Sequence, residues 1–286
     1  MSKKMVKRIS IKDIMNWVVV ADLHCGCQLG LFNPYGNFLF DEGGSYKVNN
    51  VQKEIWKYWK EFWYEWVPTS TKGEPFGVIL NGDTLDGSHH QATHQITHNL
   101  TDQKKIATEI LLPIVDMCEG RLYMIRGTEA HVGKSGQEEE ALAKSLGAIP
   151  NEYGQYARYD LWKKVGKSLV HILHHIGTTG SQAYESTAVH KELMDSYTEA
   201  ARWHQRPPDI IVRSHRHRFL KTEIASDRGR AIAVVTPGWQ GKTPFTWKIA
   251  GARLSVPQFG GILIRQGDQE FFTLNYTKTP ERSRTV

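Results

Sequence analysis

Five short polar motifs combine aspartate and histidine at spacings that suit a metal centre. They are Asp22-Leu-His24, Gly82-Asp83, Gly127-Thr-Glu-Ala-His131, His174-His175 and His215-Arg-His217. Each follows a short apolar run. Mixed carboxylate and imidazole donors suit Mn, Fe, Zn, Co or Ni better than Ca or Mg alone. Two such divalent ions, held close together, can activate a water and neutralise a phosphoryl group under attack. Taken singly the motifs say little. Asp-x-His and Gly-Asp are commonplace, and a lone histidine after a strand is more often a hydrogen-bonded turn residue. The ordered set, each member after a buried strand, carries the reading.

Bringing such distant residues to one point needs an α/β sheet, in which the loops after strand C-termini converge at one rim. Trp17 to Ala21, Phe76 to Leu80 and Arg121 to Ile125 predict buried strands. Between and after them, helices are predicted over Val51 to Trp66, Thr101 to Cys118 and Gln137 to Leu146. In the first helix Ile55, Trp59, Phe62 and Trp66 fall at 4-3-4 spacing, one apolar face for covering the sheet. A base-stacking platform is the minority reading of the same face. Thr101 or Asp102 is expected to cap the second helix, and Pro113 to kink it or end it early. Gly147 closes the third. Alternating strands and helices imply a parallel sheet with helices on its faces.

The second half changes character. Tyr156 to Lys163 and Ser168 to His174 read as a hairpin about Val165-Gly166. Gln182 to His204 is a long helix and Asp209 to Arg213 a strand. Phe219 to Ile224 pairs with Ala231 to Val235, and Gly261 to Arg265 with Glu270 to Leu274. These antiparallel signals add a second sheet. The expected fold class is α/β, a four-layer α/β/β/α sandwich of two mixed β-sheets flanked by helices. One domain is expected over 1–286, with a loop and helix insertion about 30–66 and a loose tail about 277–286.

The chain has 286 residues, 40% hydrophobic and 23% charged, ordinary for a globular enzyme. No apolar run approaches 18 residues, so no membrane span is expected. Met1 to Lys12 is basic but lacks a following cleavage site, and Trp17 to Ala21 is too short for a signal core. Three cysteines make no disulfide framework. Both observations point to the cytoplasm. A net charge of +6 leans mildly toward an anionic partner, a phosphate ester or a nucleic acid. The aromatic and basic helix Lys53 to Lys60 leans the same way.

The order D-x-H, G-D, G-N-H-D/E, H, G-H-x-H resembles the signature of the calcineurin-like metallophosphoesterase superfamily. Here it reads Asp22-Leu-His24, Gly82-Asp83, Gly127-Thr-Glu129, His174 and Ser214-His-Arg-His217, across residues 17–240. The stretch Arg126 to Gly133 is similar to a motif of phage- and prophage-encoded members. The resemblance implies a β-sandwich holding two divalent transition-metal ions. Asp22, His24 and His217 would serve the first ion, Asp83 would bridge, and His174 and His215 would serve the second. The implied activity is hydrolysis of phosphate mono- or diesters, with diesters favoured. A nuclease acting on DNA or RNA ends is the alternative within that class. A scaffold or binding module that has lost the chemistry is the alternative outside it.

Two departures from the pattern matter. Ser214 replaces a glycine, a small change. Thr128 stands at the family's asparagine ligand, and Glu129 at its histidine, often the catalytic acid. Thr128 is therefore expected as a poorer metal ligand, and Glu129 as a source of carboxylate. His131 is expected to restore the imidazole, as proton donor or as ligand. Of His174 and His175, strand alternation lets only one point into the site. His174 is taken as the ligand, leaving His175 to support it or to meet substrate. His90, His94 and His98 recur at i, i+4 and i+8. A solvated loop is the plainer reading, and a cleft wall contacting substrate the functional one. His90, His94, His175 and Arg126 are the candidate substrate contacts. Cys25 and Cys27 read as small buried residues.

Overall fold

The computed structural model describes residues 10–89, 92–133, 135–177, 181–248, 254–267 and 270–281. The first sheet contains β1 (Asn16–Val20), β2 (Phe76–Asn81), β3 (Leu122–Ile125), β4 (Ala157–Arg158), β10 (Phe259–Gln266) and β11 (Phe271–Lys278). The second contains β5 (Asp160–Val165), β6 (Ser168–Leu173), β7 (Ile210–Arg213), β8 (Leu220–Ser226) and β9 (Gly229–Val235). Their orders are β11-β10-β1-β2-β3-β4 and β5-β6-β7-β9-β8. Both sheets are mixed. β1 to β4 pair in parallel, and β10 joins β1 antiparallel. In the second sheet β6, β7 and β9 are parallel, with β5 and β8 antiparallel at its edges.

The helices are α1 (Asn50–Glu61), α2 (Val67–Thr71), α3 (Leu100–Met117), α4 (Glu129–Val132), α5 (Gln137–Ser145) and α6 (Glu185–Arg202). β1 and β2 are buried at every position, as strands covered on both faces must be. Val18, Val20, Val78 and Leu80 face a layer built from α1, α3 and α5. Trp17, Val19, Ile79 and Ile125 face the second sheet, against Val170, Ile172, Val212 and Val234. On that sheet's far side, Val189 and Leu193 of α6 pack on Ile211, Ala231, Ala233 and Val235. The four layers are those expected. Among the described residues no helix is long and apolar enough to cross a membrane.

Several local expectations are corrected. Asn99 caps α3, its side chain accepting from the Thr101 N–H at 2.9 Å. Asp102 is instead buried and accepts from the Asp41 N–H at 3.0 Å. Pro113 lies inside α3 without ending it, on an exposed face where water can take the carbonyl that loses its donor. The first helix runs past Trp66, through a π-helical turn at Phe62–Trp66 and into α2. Pro68 lies just past the π-helical turn, at the start of α2. The hairpin about Val165-Gly166 forms from β5 and β6, but its expected start is cut back, since Ala157 and Arg158 pair with β3 in the other sheet. Thr277 and Lys278 pair with β10 rather than trailing as a tail, while 282–286 lie outside the described residues. The stacking platform is also removed, because Ile55, Trp59 and Phe62 are buried in the core and the half-buried Trp66 is stacked on Phe62.

Candidate metal centre

The motifs meet at one rim. Asp22 and His24 follow β1, Asp83 follows β2, His174 follows β6, and His215 and His217 follow β7. Eight non-glycine residues adopt positive φ among the described residues. Five of them are Asp22, His24, Asp83, His215 and His217, with φ between 46° and 71°. Such backbone costs on the order of 1 kcal/mol or more per residue and gathers where side chains must be aimed. Crossed backbone bonds hold the loops in register. The Asp22 N–H donates to the Gly82 carbonyl at 3.0 Å, and the His24 N–H to the Asp83 carbonyl at 3.0 Å. The glycines of two motifs are required by crowding. A Cβ on Gly127 would overlap the Asp83 carboxylate, and one on Gly82 would overlap the His174 ring.

Of five donor triads among the described residues, two divide the six expected ligands between them. Asp22, His24 and His217 form one, and Asp83, His174 and His215 the other. Within each, one donor atom per residue lies within 4.8 Å of the others. His217 Nε2 is 3.3 Å from Asp22 Oδ1 and 3.2 Å from His24 Nε2. His174 Nε2 is 3.1 Å from Asp83 Oδ2 and 4.0 Å from Asp22 Oδ1, so the triads adjoin. Ring tautomers are set from behind. His174 Nδ1–H donates to the Asn81 carbonyl at 2.6 Å, leaving Nε2 for the centre. His24 Nδ1 lies 3.2 Å from Asp86 Oδ1, which leaves its Nε2 facing His217.

Two atoms aimed into the middle, Asp22 Oδ1 and His174 Nε2, are buried without a hydrogen-bond partner. Buried polar atoms are normally paired, so a shared cation suits both. Burial opposes the charge on Asp83, yet His174, with His215 and His131, outweighs it and holds the carboxyl well below the usual range. In return, and against burial, Asp83 pushes His174 up to about 10. The arrangement is a pocket of strongly interacting donors that fits divalent transition metals in charge and softness.

The third motif behaves differently from expectation. Thr128 donates its N–H to Asp83 Oδ1 at 2.7 Å and its hydroxyl to the same oxygen at 3.1 Å. It orients the carboxylate, a role the sequence did not suggest. Glu129, the first residue of α4, is exposed, and no contact joins it to the cluster among the described residues. The carboxylate expected from it is not delivered. One turn of helix brings His131 back instead. Its Nδ1–H donates to the Asp86 carbonyl at 2.6 Å and its Nε2 lies 3.9 Å from Asp83 Oδ2. Burial, reinforced by His24, pushes its pKa down to about 4.

Among the candidate substrate contacts, His94 lines the cleft beside the centre. His90 lies outside the described residues. His175 is exposed, its ring 5.3 Å from that of His215. Arg126 is spent on structure, donating to the Ala157 and Ser135 carbonyls at 2.9 and 3.2 Å and covering the Tyr159 ring. The cysteines are buried and free, as expected, with the thiols of Cys25 and Cys27 pushed up by burial.

Two buried carboxylates escaped the sequence reading. Asp86 lies beneath His24 and accepts from Gln95 at 2.8 Å and Gln240 at 3.2 Å. Its position three residues after Asp83 was the available signal. Glu139 of α5 accepts from the Thr84 N–H and the Gly127 N–H, each at 2.8 Å. It thereby ties the Asp83 loop to the Thr128 loop. Burial and the charge of Asp83 push its carboxyl up to about 7. Replacing it by alanine orphans two buried donors, each costing about 1–3 kcal/mol. Glu139→Ala is expected to lower the unfolding free energy by about 2–5 kcal/mol in urea. A loss under about 1 kcal/mol would mean that the clamp is not needed.

Comparison with known proteins adds a likeness in structure alone. No family model matches the chain, and no curated protein matches it in sequence. A doubly substituted Vps29 from Entamoeba histolytica aligns at 10% identity over 92% of this chain and 99% of its own, with a TM-score of 0.36. A metallophosphoesterase from Sphaerobacter thermophilus aligns at 8% over 94% and 90%, with a TM-score of 0.39. The sulfate thiohydrolase SoxB from Thermus thermophilus aligns at 11% over 92% of this chain and 56% of its own, at 0.41. At these identities and scores, any functional conclusion rests on the geometry of the site itself.

Proposed function

We propose that the chain is a metal-dependent phosphoesterase of the calcineurin-like type, acting on phosphodiesters in preference to monoesters. The observation that carries this is the pair of adjoining triads, Asp22-His24-His217 and Asp83-His174-His215, with two orphaned buried atoms between them. Asp83, close to both triads, would bridge two ions. Those ions would supply Lewis acidity toward a phosphoryl group and a nucleophilic water at neutral pH. The protein's own contribution is to hold the donors. Asp86 fixes the His24 ring, the Asn81 carbonyl fixes His174, and Thr128 fixes Asp83.

His131 presents an Nε2 lone pair to the cleft, since its proton is committed to the Asp86 carbonyl. That tautomer favours accepting a proton or a cation over donating a proton to the leaving group. His131→Ala is therefore expected to slow an alkyl diester and a nitrophenyl diester alike, by about 10²-fold or more. A general acid would matter far less for the nitrophenyl ester, which departs without a proton. Loss confined to the alkyl ester would restore the acid role.

The activity itself is tested by a panel of Mn, Ni, Co, Zn and Mg against bis(4-nitrophenyl) phosphate, 4-nitrophenyl phosphate, cyclic nucleotides and single- and double-stranded DNA. The reading predicts metal-dependent turnover that EDTA abolishes, with the aryl diester ahead of the monoester. DNA ahead of every small ester would favour a nuclease. No turnover with any metal, from protein that retains none on purification, would favour a scaffold.

A further inference from the structure

The centre forms the floor of a cleft of about 500 Å³, within the range of small-ligand sites. One wall has no part in holding the donors. It is built from two stretches, 242–246 and 255–257, that follow β9. Lys242 Nζ donates to the Ser255 carbonyl at 3.2 Å, which ties the two stretches together, and sits 3.6 Å from the centre of the Trp247 ring. Thr246 bonds back to Thr243, closing a turn that carries Pro244 and Phe245. Pro244, Phe245, Val256 and Pro257 give the wall an apolar face at the cleft, beside Thr243, Thr246 and Ser255. Phe245 is 59% exposed and Val256 49% exposed, a large apolar surface beside a polar floor. Around it stand Arg216, Arg218 and Lys242 with one carboxylate, Glu185, so the rim is net positive. Arg216 itself bonds to the Glu185 and Gly177 carbonyls, which leave its charge uncancelled.

We infer that this wall is a substrate subsite that takes a flat ring, so that the natural substrate is a small organic phosphate ester with a ring-bearing arm. The proposal rests on the phosphoesterase reading and adds its substrate class. The phosphate belongs between the metal-loaded floor and the basic rim, and the ring against Phe245. A polymer strand would instead need a long basic groove with successive exposed rings. Here the aromatic face of α1 is buried in the core.

The test is equilibrium dialysis of the Mn-loaded full chain against methyl phosphate, phenyl phosphate, thymidine 5′-phosphate and a single-stranded DNA 12-mer. A ring on an aromatic wall is worth about tenfold in Kd. Phenyl phosphate and thymidine 5′-phosphate are expected to bind about tenfold tighter than methyl phosphate. A gain for both means that any flat ring suffices, and a gain for thymidine alone means that a nucleobase is required. Phe245→Ala, at an exposed position, should bring the ratio close to one. Equal Kd values for the three esters, a ratio unchanged in Phe245→Ala, or DNA binding tighter than every ester would overturn the subsite. Hydrolysis of bis(4-nitrophenyl) phosphate by the same samples separates the two readings. Turnover without a ring preference refutes the subsite alone, and a ring preference without turnover refutes the phosphoesterase reading alone.

Discussion

Asp83→Asn is expected to lower turnover of bis(4-nitrophenyl) phosphate by about 10³-fold or more while leaving the fold intact. The loss exceeds that for removing one preorganised dipole, about 10²–10³-fold, because Asp83 answers to both triads at once. Its Oδ2 is 3.1 Å from His174 Nε2 in its own triad, and its carboxylate lies within 4.8 Å of a ring nitrogen of His24 in the other. An asparagine keeps the shape, and its oxygen can still accept from the Thr128 N–H and hydroxyl. What it removes is the negative charge that two cations would share. Loss of function should therefore come with loss of bound metal and an unchanged near-UV circular dichroism spectrum. Near-normal turnover by the folded variant would remove Asp83 from the bridging position.

The second large effect is on stability. A ligand that binds only the folded state stabilises it by RT ln(1 + [L]/Kd), about 2.7 kcal/mol at 100 times Kd. For a chain of this size each kcal/mol moves the midpoint by roughly 2–4 °C. Adding Mn or Ni to EDTA-stripped protein should therefore raise Tm by about 5–10 °C, and EDTA should reverse it. The gain has a structural source. Asp22, Asp83 and Asp86 are buried within one small volume, and without cations only imidazolium charge balances them. His217→Ala should forfeit much of the shift, because Nε2 of His217 meets both Asp22 and His24. A shift below about 1 °C, or one retained in full by His217→Ala, would place metal binding elsewhere on the surface.

How far the site was legible follows from where its information lies. Asp22, His24, Asp83, His174, His215 and His217 sit immediately beyond apolar strands, and strand order converts that position into convergence at one rim. Gly82 and Gly127 could be read as parts of those motifs, but the crowding by the His174 ring and the Asp83 carboxylate that requires them shows only in the fold. Glu139 could not. It lies in the run Glu138-Glu139-Glu140, which resembles a solvated helix face, and only packing against two loops selects the middle carboxylate for burial. Thr128 illustrates a different limit. Sequence placed it at the centre, but whether a hydroxyl meets a cation or a neighbouring carboxylate depends on ångström-scale geometry. The layers of the fold were legible from alternating strand and helix patterns. The exchange of sheets between β4 and β5 was not, because no turn signal marks Tyr159.

The most direct test of the central claim is anomalous diffraction from crystals of the wild-type chain grown with Mn. The account predicts two peaks, one among Asp22, His24 and His217 and the other among Asp83, His174 and His215, with Asp83 close to both. Peaks at other side chains, or none within this cluster, would contradict it.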